Sequence, residues 1–559
     1  MFFRKVTTKS GDKEYTYLKL IENFREGNKV KQRVIANLGN LENMTPEKVQ
    51  SLISGLSKIC GLDPPSFQQL TNKTILDYGQ VAAVDKIWQI LNLDTLLEQA
   101  ANQDGDPTLK PLVKLLVLNQ IIKNHQRLPL NLWCKKLYLP ELQGLDVTEE
   151  SYNATIKKLM TLKDKLEDGI LQELQKQKLI NTNTVYCHLV RGKLLSQANY
   201  DESNFFDYNP VAENIDLAIL TSPEGIPFRH RTFNGHFTDG ETVPRRLREL
   251  QNKFNISNCV FVGDQHVITG ENMHLLSSYG YDYIAGLEIW TVPEAKSFRE
   301  ELQQSTGDFQ EHSNGLLYME IDRGPARYLL CYSPARAARK NKELEDRLDF
   351  IEKELEKIKH WVANNCSNNP RSNFFAATNI LRNHYCKRYF NCIYDEERHQ
   401  FTYHRKEKVI EEQMQFNGKF LIKTNSRRLT AREVIDAYTV FLKLRHNFRQ
   451  MRGYDRYRDT DFNRELISGQ VQVCVISYLI EQLMELMLLH RGVKISAPAA
   501  LEILEGIKIS VVKAGTKEIS LITPATREQR EILGALFIDY NKLKSRFEGV
   551  SSQLAATRS

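Results

Sequence analysis

The sequence predicts an α/β fold, and three observations predict it. Between residues 183 and 292, short apolar runs alternate with helical periods in the order β-β-β-α-β-α-β. Pro223, Glu224 and Gly225 turn the second of these strands into the third, which sets an antiparallel hairpin at one sheet edge. The run Cys259 to Gly263 is apolar throughout, the composition of a strand buried on both faces.

The chain has 559 residues, enough for several domains around at least one sizeable core. Residues 1–60 open with strand-like runs at 15–24 and 30–38, joined by the polar turn Arg25-Glu26-Gly27-Asn28, which signals a β-hairpin. Lys19, Lys29, Lys31 and Arg33 decorate it. Those cations suit a DNA-contacting ribbon or an ordinary solvated face. Residues 61–182 read as a helical domain, with helical spacing at 109–122 and 152–174. DNA binding is one role open to it, although it shows no helix-turn-helix spacing.

Residues 183–292 supply the first part of the α/β core. Strands are expected at 184–190, 215–222, 226–233, 259–263 and 282–289, with helices at 241–254 and 271–279. Asp264 ends the fourth strand. Residues 293–427 interrupt this pattern. A charged helix at 341–361 places Leu344, Leu348, Ile351, Leu355 and Ile358 at alternating steps of four and three, a coiled-coil seam. Strand-like runs follow at 384–394, 400–405 and 418–424.

Residues 428–490 resume the core. Ile435, Tyr438, Phe441, Leu442, Phe448 and Met451 make one apolar helix face. Arg432, Lys443, Arg445, Arg449 and Arg452 lie off that face, and Arg456 and Arg458 follow. So many like charges on one helix call for a polyanion or an acidic partner. The run 471–489 reads as a core helix, and residues 491–559 as a tail module with a helix at 525–547.

Net charge is +7 with pI ≈ 8.7, which permits nucleic-acid binding without requiring it. The nine Cys form no C-x-x-C pair, so a reducing cytoplasm fits. His384, Cys386, Cys392, His399 and His404 could gather around zinc, but their spacings match no common site. No apolar run reaches about 18 residues, so no membrane span is expected.

Several strings resemble DDE transposases of bacterial insertion sequences. They are IDLAILTSPEGIPFRHRTFNGHFTDGET at 215–242, VFVGDQHVITGEN at 260–272, YDYIAGLEI at 281–289, FNGKFLIKTNSRRLTAREVIDAY at 416–438 and QVCVISYLIEQLM at 472–484. In that family one helix carries Tyr, two residues, Arg, three residues, Glu, six residues, then Lys or Arg. Here Tyr438 matches the Tyr, Phe441 and Arg445 stand at the Arg and Glu positions, and Arg452 matches the final cation. The resemblance implies an RNase H-like core with a β-rich insertion. It also implies cut-and-paste DNA transposition by a homodimer on terminal inverted repeats.

The family's chemistry uses two Mg²⁺ or Mn²⁺ ions held by three carboxylates. By resemblance, Asp264 stands at the second acid, His188 at the first and Arg445 at the third. An imidazole brings no negative charge and disfavours Mg²⁺. A guanidinium repels the ion, by about 4 kcal/mol per unit charge pair at 4 Å and an effective dielectric of 20, doubled for a divalent cation. The expectation is therefore a transposase-type protein that binds double-stranded DNA and is catalytically defective, needing no cofactor. Tyr438, Lys443, Arg445, Arg449, Arg452, Arg456 and Arg458 are its expected DNA contacts. Arg445 would either meet the phosphate backbone or pair with Asp264 in a dead pocket. An active enzyme with metal at Asp264, and a protein-interaction scaffold, are the alternatives.

Overall fold

The computed structural model describes residues 2–10, 13–26, 29–41, 44–60, 70–101, 106–122, 128–195, 212–233, 259–287, 309–364, 370–395, 398, 400–449, 451–452, 464–514 and 517–549. The chain forms two compact units.

The smaller unit takes in Met1–Ile75, Ser510–Leu521 and Lys544–Ser559. Its first sheet has the order β1 (Phe2–Ser10), β2 (Lys13–Glu26), β3 (Lys29–Asn40), antiparallel throughout. The expected hairpin is β2–β3. Strand β1 is an addition, masked in the sequence because the adjacent pairs Phe2-Phe3 and Arg4-Lys5 erase the period-two pattern. Helix α1 (Pro46–Ile59) follows, its start capped by Thr45 Oγ1, which accepts from the Lys48 N–H. Strand β4 (Leu70–Asp77) belongs to a second three-stranded sheet that two later strands complete.

The larger unit takes in Leu76–Ile509 and Ile522–Leu543. It begins with a helical layer: α2 (Gly79–Ile90), α3 (Leu93–Ala100), α4 (Leu109–Ile121), the short α5 (Leu130–Trp133) and α6 (Glu149–Lys176). A capping box between Thr148 and Ser151 starts α6.

The central sheet carries the expected strands: β5 (Val185–Leu195), β6 (Ala212–Thr221), β7 (Pro227–Phe233), β8 (Cys259–Asp264) and β9 (Asp282–Leu287), with helix α7 (Gly270–Ser278) between the last two. Strands β5, β6 and β7 run antiparallel in turn. On the other side of β5, β8 and β9 add in parallel. The helix expected at 241–254 lies outside the described residues.

Beyond β9 the sheet departs from expectation. Strands β10 (Gln310–Glu311), β11 (Leu317–Arg323) and β12 (Ala326–Tyr332) come from the segment read as an interruption. They extend the sheet through a further strand of the same segment, Lys419–Thr424. Without them β9 would offer a bare edge.

The rest of that segment packs on itself. Helix α8 (Pro334–Ala363) meets α9 (Pro370–Asn383), the hairpin β13 (Phe390–Asp395)–β14 (Gln400–Arg405) and α10 (Glu407–Phe416). The seam residues Leu344, Leu348, Ile351 and Leu355 are buried with Leu381, Phe390, Phe401 and Ile410. The coiled-coil reading is thus corrected. The chain fills its own seam, because α9 and the hairpin supply the apolar surface that a second helix would have brought. Strand β15 (Lys419–Thr424) then returns to the sheet between β12 and β9, antiparallel to both.

Helix α11 (Ala431–Phe448) opens with a capping box between Thr430 and Glu433 and lays Val434, Ile435, Tyr438, Phe441, Leu444 and Phe448 into the sheet's core. It ends at Phe448. Met451 and Arg452 leave the helix as β16, which pairs in parallel with Leu194 and Leu195 of β5. The expectation that the helix continues through Arg452 is corrected by that pairing, since a β bridge and a helical turn need different backbone angles.

Helix α12 (Arg464–His490) packs on α4 and α6. At Gly469 an added Cβ would lie 2.3 Å from the Ile156 carbonyl oxygen, so the glycine permits the close crossing with α6. By length and composition, Leu466–His490 is apolar enough to cross a membrane, and 83% of its most apolar window is buried in this fold. Helix α13 (Ala497–Leu504) follows, then β17 (Lys508–Ala514) and β18 (Lys517–Ile522), which pair in the order β18-β17-β4. The single tail helix expected at 525–547 is two, α14 (Arg527–Ala535) and α15 (Tyr540–Gly549). Phe537, at φ 58°, stands between them in a left-handed conformation that no helix continues through.

Candidate nucleic-acid interface

Helix α11 is fixed to the sheet at one close approach. Gly286 on β9 is the register partner of Asp264 on β8. A Cβ at Gly286 would lie 1.8 Å from Tyr438 Oη, so only glycine lets the Tyr438 ring lie on β9. The ring also stacks with Phe420 and Phe441, at centroid distances of 6.0 and 5.4 Å. Burial pushes the Tyr438 hydroxyl far above the ordinary phenol range. Tyr438, expected as a DNA contact, is 7% exposed and anchors the helix on β9.

Two turns further along α11, Arg445 reaches the end of β8. Its Nη1 lies 3.1 Å from Asp264 Oδ2, with the Arg445 side chain 49% exposed and that of Asp264 14%. The other carboxylate oxygen accepts the His266 backbone N–H at 3.0 Å. The Asp264 carbonyl takes the N–H groups of Val267 and Ile268, at 3.1 and 2.8 Å, and so sets the turn that presents the side chain.

Around this pair opens a cleft of ≈ 620 Å³ lined by Arg191, Asp264, His266, Arg336, Arg445 and Arg449, among others. A narrower recess of ≈ 260 Å³ shares Asp264 and Arg445 and adds Lys340 and Lys419. Asp264 is the one carboxylate among the described residues lining either space. Arg191, from the far part of β5, is held from behind by the buried Asp216, Nε to Oδ1 at 3.0 Å.

His188 does not join this group. It is fully buried, pairs with Val262 two residues short of Asp264, and holds Thr221 Oγ1 of β6 at 2.9 Å with its Nε2. Burial pushes its imidazolium down to about 3. The residues that β5 brings to the cleft are Arg191 and Gly192. Lys443 is also engaged elsewhere, its Nζ 3.0 Å from Glu485 of α12. Arg449 is exposed and lines the cleft. Arg452 sits in β16, with its side chain outside the described residues, and Arg456 and Arg458 lie outside them entirely.

A divalent cation does not fit what the described residues offer. One carboxylate, already neutralised by a guanidinium, faces three further arginines. Among the described residues, no three His, Cys, Asp or Glu gather as metal donors. Sequence reading missed Arg191 and Arg336. Arg191 directly follows the first core strand and could have been found by extending it. Arg336 lies in the first turn of α8, 72 residues past Asp264 in the chain, and no local pattern marks it.

Residues 3–65 match the IS1634 family transposase N-terminal domain. Compared with curated proteins, the chain matches none. Among solved structures, a piggyBac transposase synaptic complex with hairpin DNA aligns with TM-score 0.28 and 9% identity, over 78% of this chain and 82% of that one. A superposition that loose carries no argument about this chain.

Proposed function

This insertion-sequence transposase, we propose, binds double-stranded DNA along the cleft at Asp264 and does not cut it. The observation that carries the reading is the Arg445–Asp264 contact of 3.1 Å. On this reading the pair stands where a nucleolytic site of this class would gather metal-binding acids. In its stand are guanidinium groups, whose forked donors match phosphate oxygens. A guanidinium has five N–H donors, so one given to Asp264 leaves others for a phosphate.

We read β7-β6-β5-β8-β9 as an RNase H-like core. Support comes from the antiparallel run β5–β6–β7 with β8 and β9 added in parallel across β5. Asp264 at the end of β8 and α11 across the sheet agree with it. On this reading the protein acts as a homodimer in the cytoplasm, on DNA such as terminal inverted repeats. Affinity is independent of divalent metal. With three or four cleft cations on phosphates, log K falls against log salt with a slope of about −3.

The test uses labelled duplexes carrying the DNA that flanks the gene, with and without Mn²⁺, on native and denaturing gels in parallel. The expected result is a shifted band with intact strands. Metal-dependent cleavage at a defined position, lost in Asp264→Ala, would overturn the reading in favour of an active enzyme. Neither shift nor cleavage would favour a protein-interaction scaffold.

A further inference from the structure

Helix α8 carries a second row beside its seam. Ile351, Leu355 and Val362 of the seam are buried against α9 and the β13–β14 hairpin, and Ile358 packs on them. One residue before these four stand Phe350, Glu354, Lys357 and Trp361, at steps of four, three and four. One residue turns a helix by about 100°, so the four make a row of their own on its flank. The row borders a groove of ≈ 910 Å³ whose lining adds Ile358 and Ile380 of α9. Its ends are aromatic and open, with Phe350 47% and Trp361 51% exposed. The other described tryptophans, Trp88 and Trp133, are 1% and 0% exposed. Phe350 is steadied from one side by the His384 ring, at a centroid distance of 5.2 Å. Between the two aromatics, Lys357 Nζ lies 2.6 Å from Glu354 Oε1, and the Lys357 side chain is 71% exposed.

The order of charges says what covers this row. A nucleic acid laid along it would meet Glu354, and a basic helix would meet Lys353 and Lys357. A second copy of the row, run antiparallel, meets neither repulsion. Steps of four, three and four read the same in both directions. Turned about a two-fold axis between positions 355 and 356, Phe350 faces the second copy's Trp361, and Glu354 faces the second copy's Lys357. The exposed Lys353 lays its stem over the second copy's Ile358. Symmetry repeats each contact, as an isologous interface requires. A parallel pairing would instead set Glu354 on Glu354 and Lys357 on Lys357, which like charges disfavour. Aromatic side chains offer about 150–250 Å² each, so the exposed halves of Phe350 and Trp361 supply about 200 Å² per copy. A standard interface uses about 800 Å² per partner, so the contact is small and its dimer depends on concentration.

We propose that the Phe350–Glu354–Lys357–Trp361 row of α8 is a docking surface for the same row of a second copy of this chain, packed antiparallel. The proposal gives the homodimer suggested above a surface, and it stands whether or not the protein binds DNA. It uses the flank of α8 and leaves the buried Leu344–Leu355 seam within the chain.

The experiment is sedimentation velocity on the full chain without DNA, from about 1 to about 100 µM, the range suited to so small a contact. The wild-type chain should pass from monomer to dimer across it. Glu354→Lys makes the row wholly positive and Lys357→Glu makes it wholly negative. Each variant alone should dimerise roughly tenfold more weakly or worse, because like charges then meet twice across the axis. An equimolar mixture of the two should dimerise again, since the positive row now meets the negative one. The double variant Glu354→Lys/Lys357→Glu should behave as the wild type does. Trp361→Ala should weaken the dimer while leaving the circular-dichroism spectrum and the thermal melt of the chain in place. A wild-type chain that stays monomeric throughout, or single-charge variants that dimerise as it does, would overturn the proposal. A mixture no better than its two components would overturn it as well.

Discussion

Replacing Arg445 by Glu should turn the arginine-lined cleft into a weak cation site. In the native chain the guanidinium lies 3.1 Å from Asp264, half exposed, with the carboxylate largely covered. Unit charges 4 Å apart interact by about 4 kcal/mol at an effective dielectric of 20 before further screening. Exposed pairs measure below about 1 kcal/mol. A half-exposed pair falls between, at about 1–2 kcal/mol. The variant loses this attraction and sets two carboxylates against each other, so it should lose about 2–3 kcal/mol in metal-free buffer. An ion between the two carboxylates reverses part of the loss. At 10 mM Mn²⁺ and a dissociation constant of about 1 mM, the gain is about 1.4 kcal/mol. Thermal melts of both proteins, in EDTA and in Mn²⁺, test this. Arg445→Glu should melt several degrees below the native chain in EDTA and recover part of the difference in Mn²⁺, while the native chain gains nothing. A native chain that gains as much from Mn²⁺ as the variant would refute the view that Arg445 excludes cations from the cleft.

Gly286→Ala should be among the most damaging single-methyl changes in the core, because the new Cβ would lie 1.8 Å from the Tyr438 hydroxyl oxygen and 2.2 Å from its ring. A loss of about 1–3 kcal/mol is expected in chemical denaturation, with weaker duplex binding as α11 shifts, and Tyr438→Phe should be far milder. Leu355→Ala should cost about 2–5 kcal/mol, since Leu355 is fully buried in a core made by one chain. Light scattering should find its oligomeric state unchanged, whereas a coiled coil between chains would dissociate. Acid should destabilise the protein through two buried histidines. Burial pushes His188 to about 3 and His230 to about 4 from an ordinary 6.5, with Lys163 adding to the second shift and Glu167 opposing it. Their stabilising contribution is complete above pH 6.5. It falls as pH drops toward those values, because the unfolded chain takes up protons that the folded chain refuses. Each histidine contributes a slope of up to about 1.4 kcal/mol per pH unit. Urea midpoints at pH 7 and pH 5 should show the drop, and His188→Gln should lessen it.

Much of the fold was legible before any coordinates, because it is written in short-range periods. Strands β5 to β9 follow from short apolar runs and turn residues, and the β2–β3 hairpin from its polar turn. The strand-end place of Asp264 and the apolar stripe of α11 were equally visible. Less legible were features whose signal is spread over distant residues. Leu344, Leu348, Ile351 and Leu355 carry the same spacing whether their partner is another chain or Phe390 and Phe401 of this one. Strand β15 reads as part of an interruption until its pairing with β9 is seen.

The sequence by itself determined that a basic helix accompanies an α/β sheet, that one acid ends the fourth core strand, and that Arg445 lies off that helix's apolar face. Each depends on neighbours within a few residues, where backbone geometry fixes which side chains share a face. Only the tertiary structure decided which cations meet the acid. Arg445 reaches Asp264 because Gly286 lets Tyr438 bed α11 close to β9, whereas Lys443, two residues earlier, is drawn to Glu485 of α12. His188 turns to Thr221, and Arg191 and Arg336 arrive from either side of Asp264 in the chain. A cleft is defined by the approach distance of separate elements, and a linear sequence does not encode that distance locally.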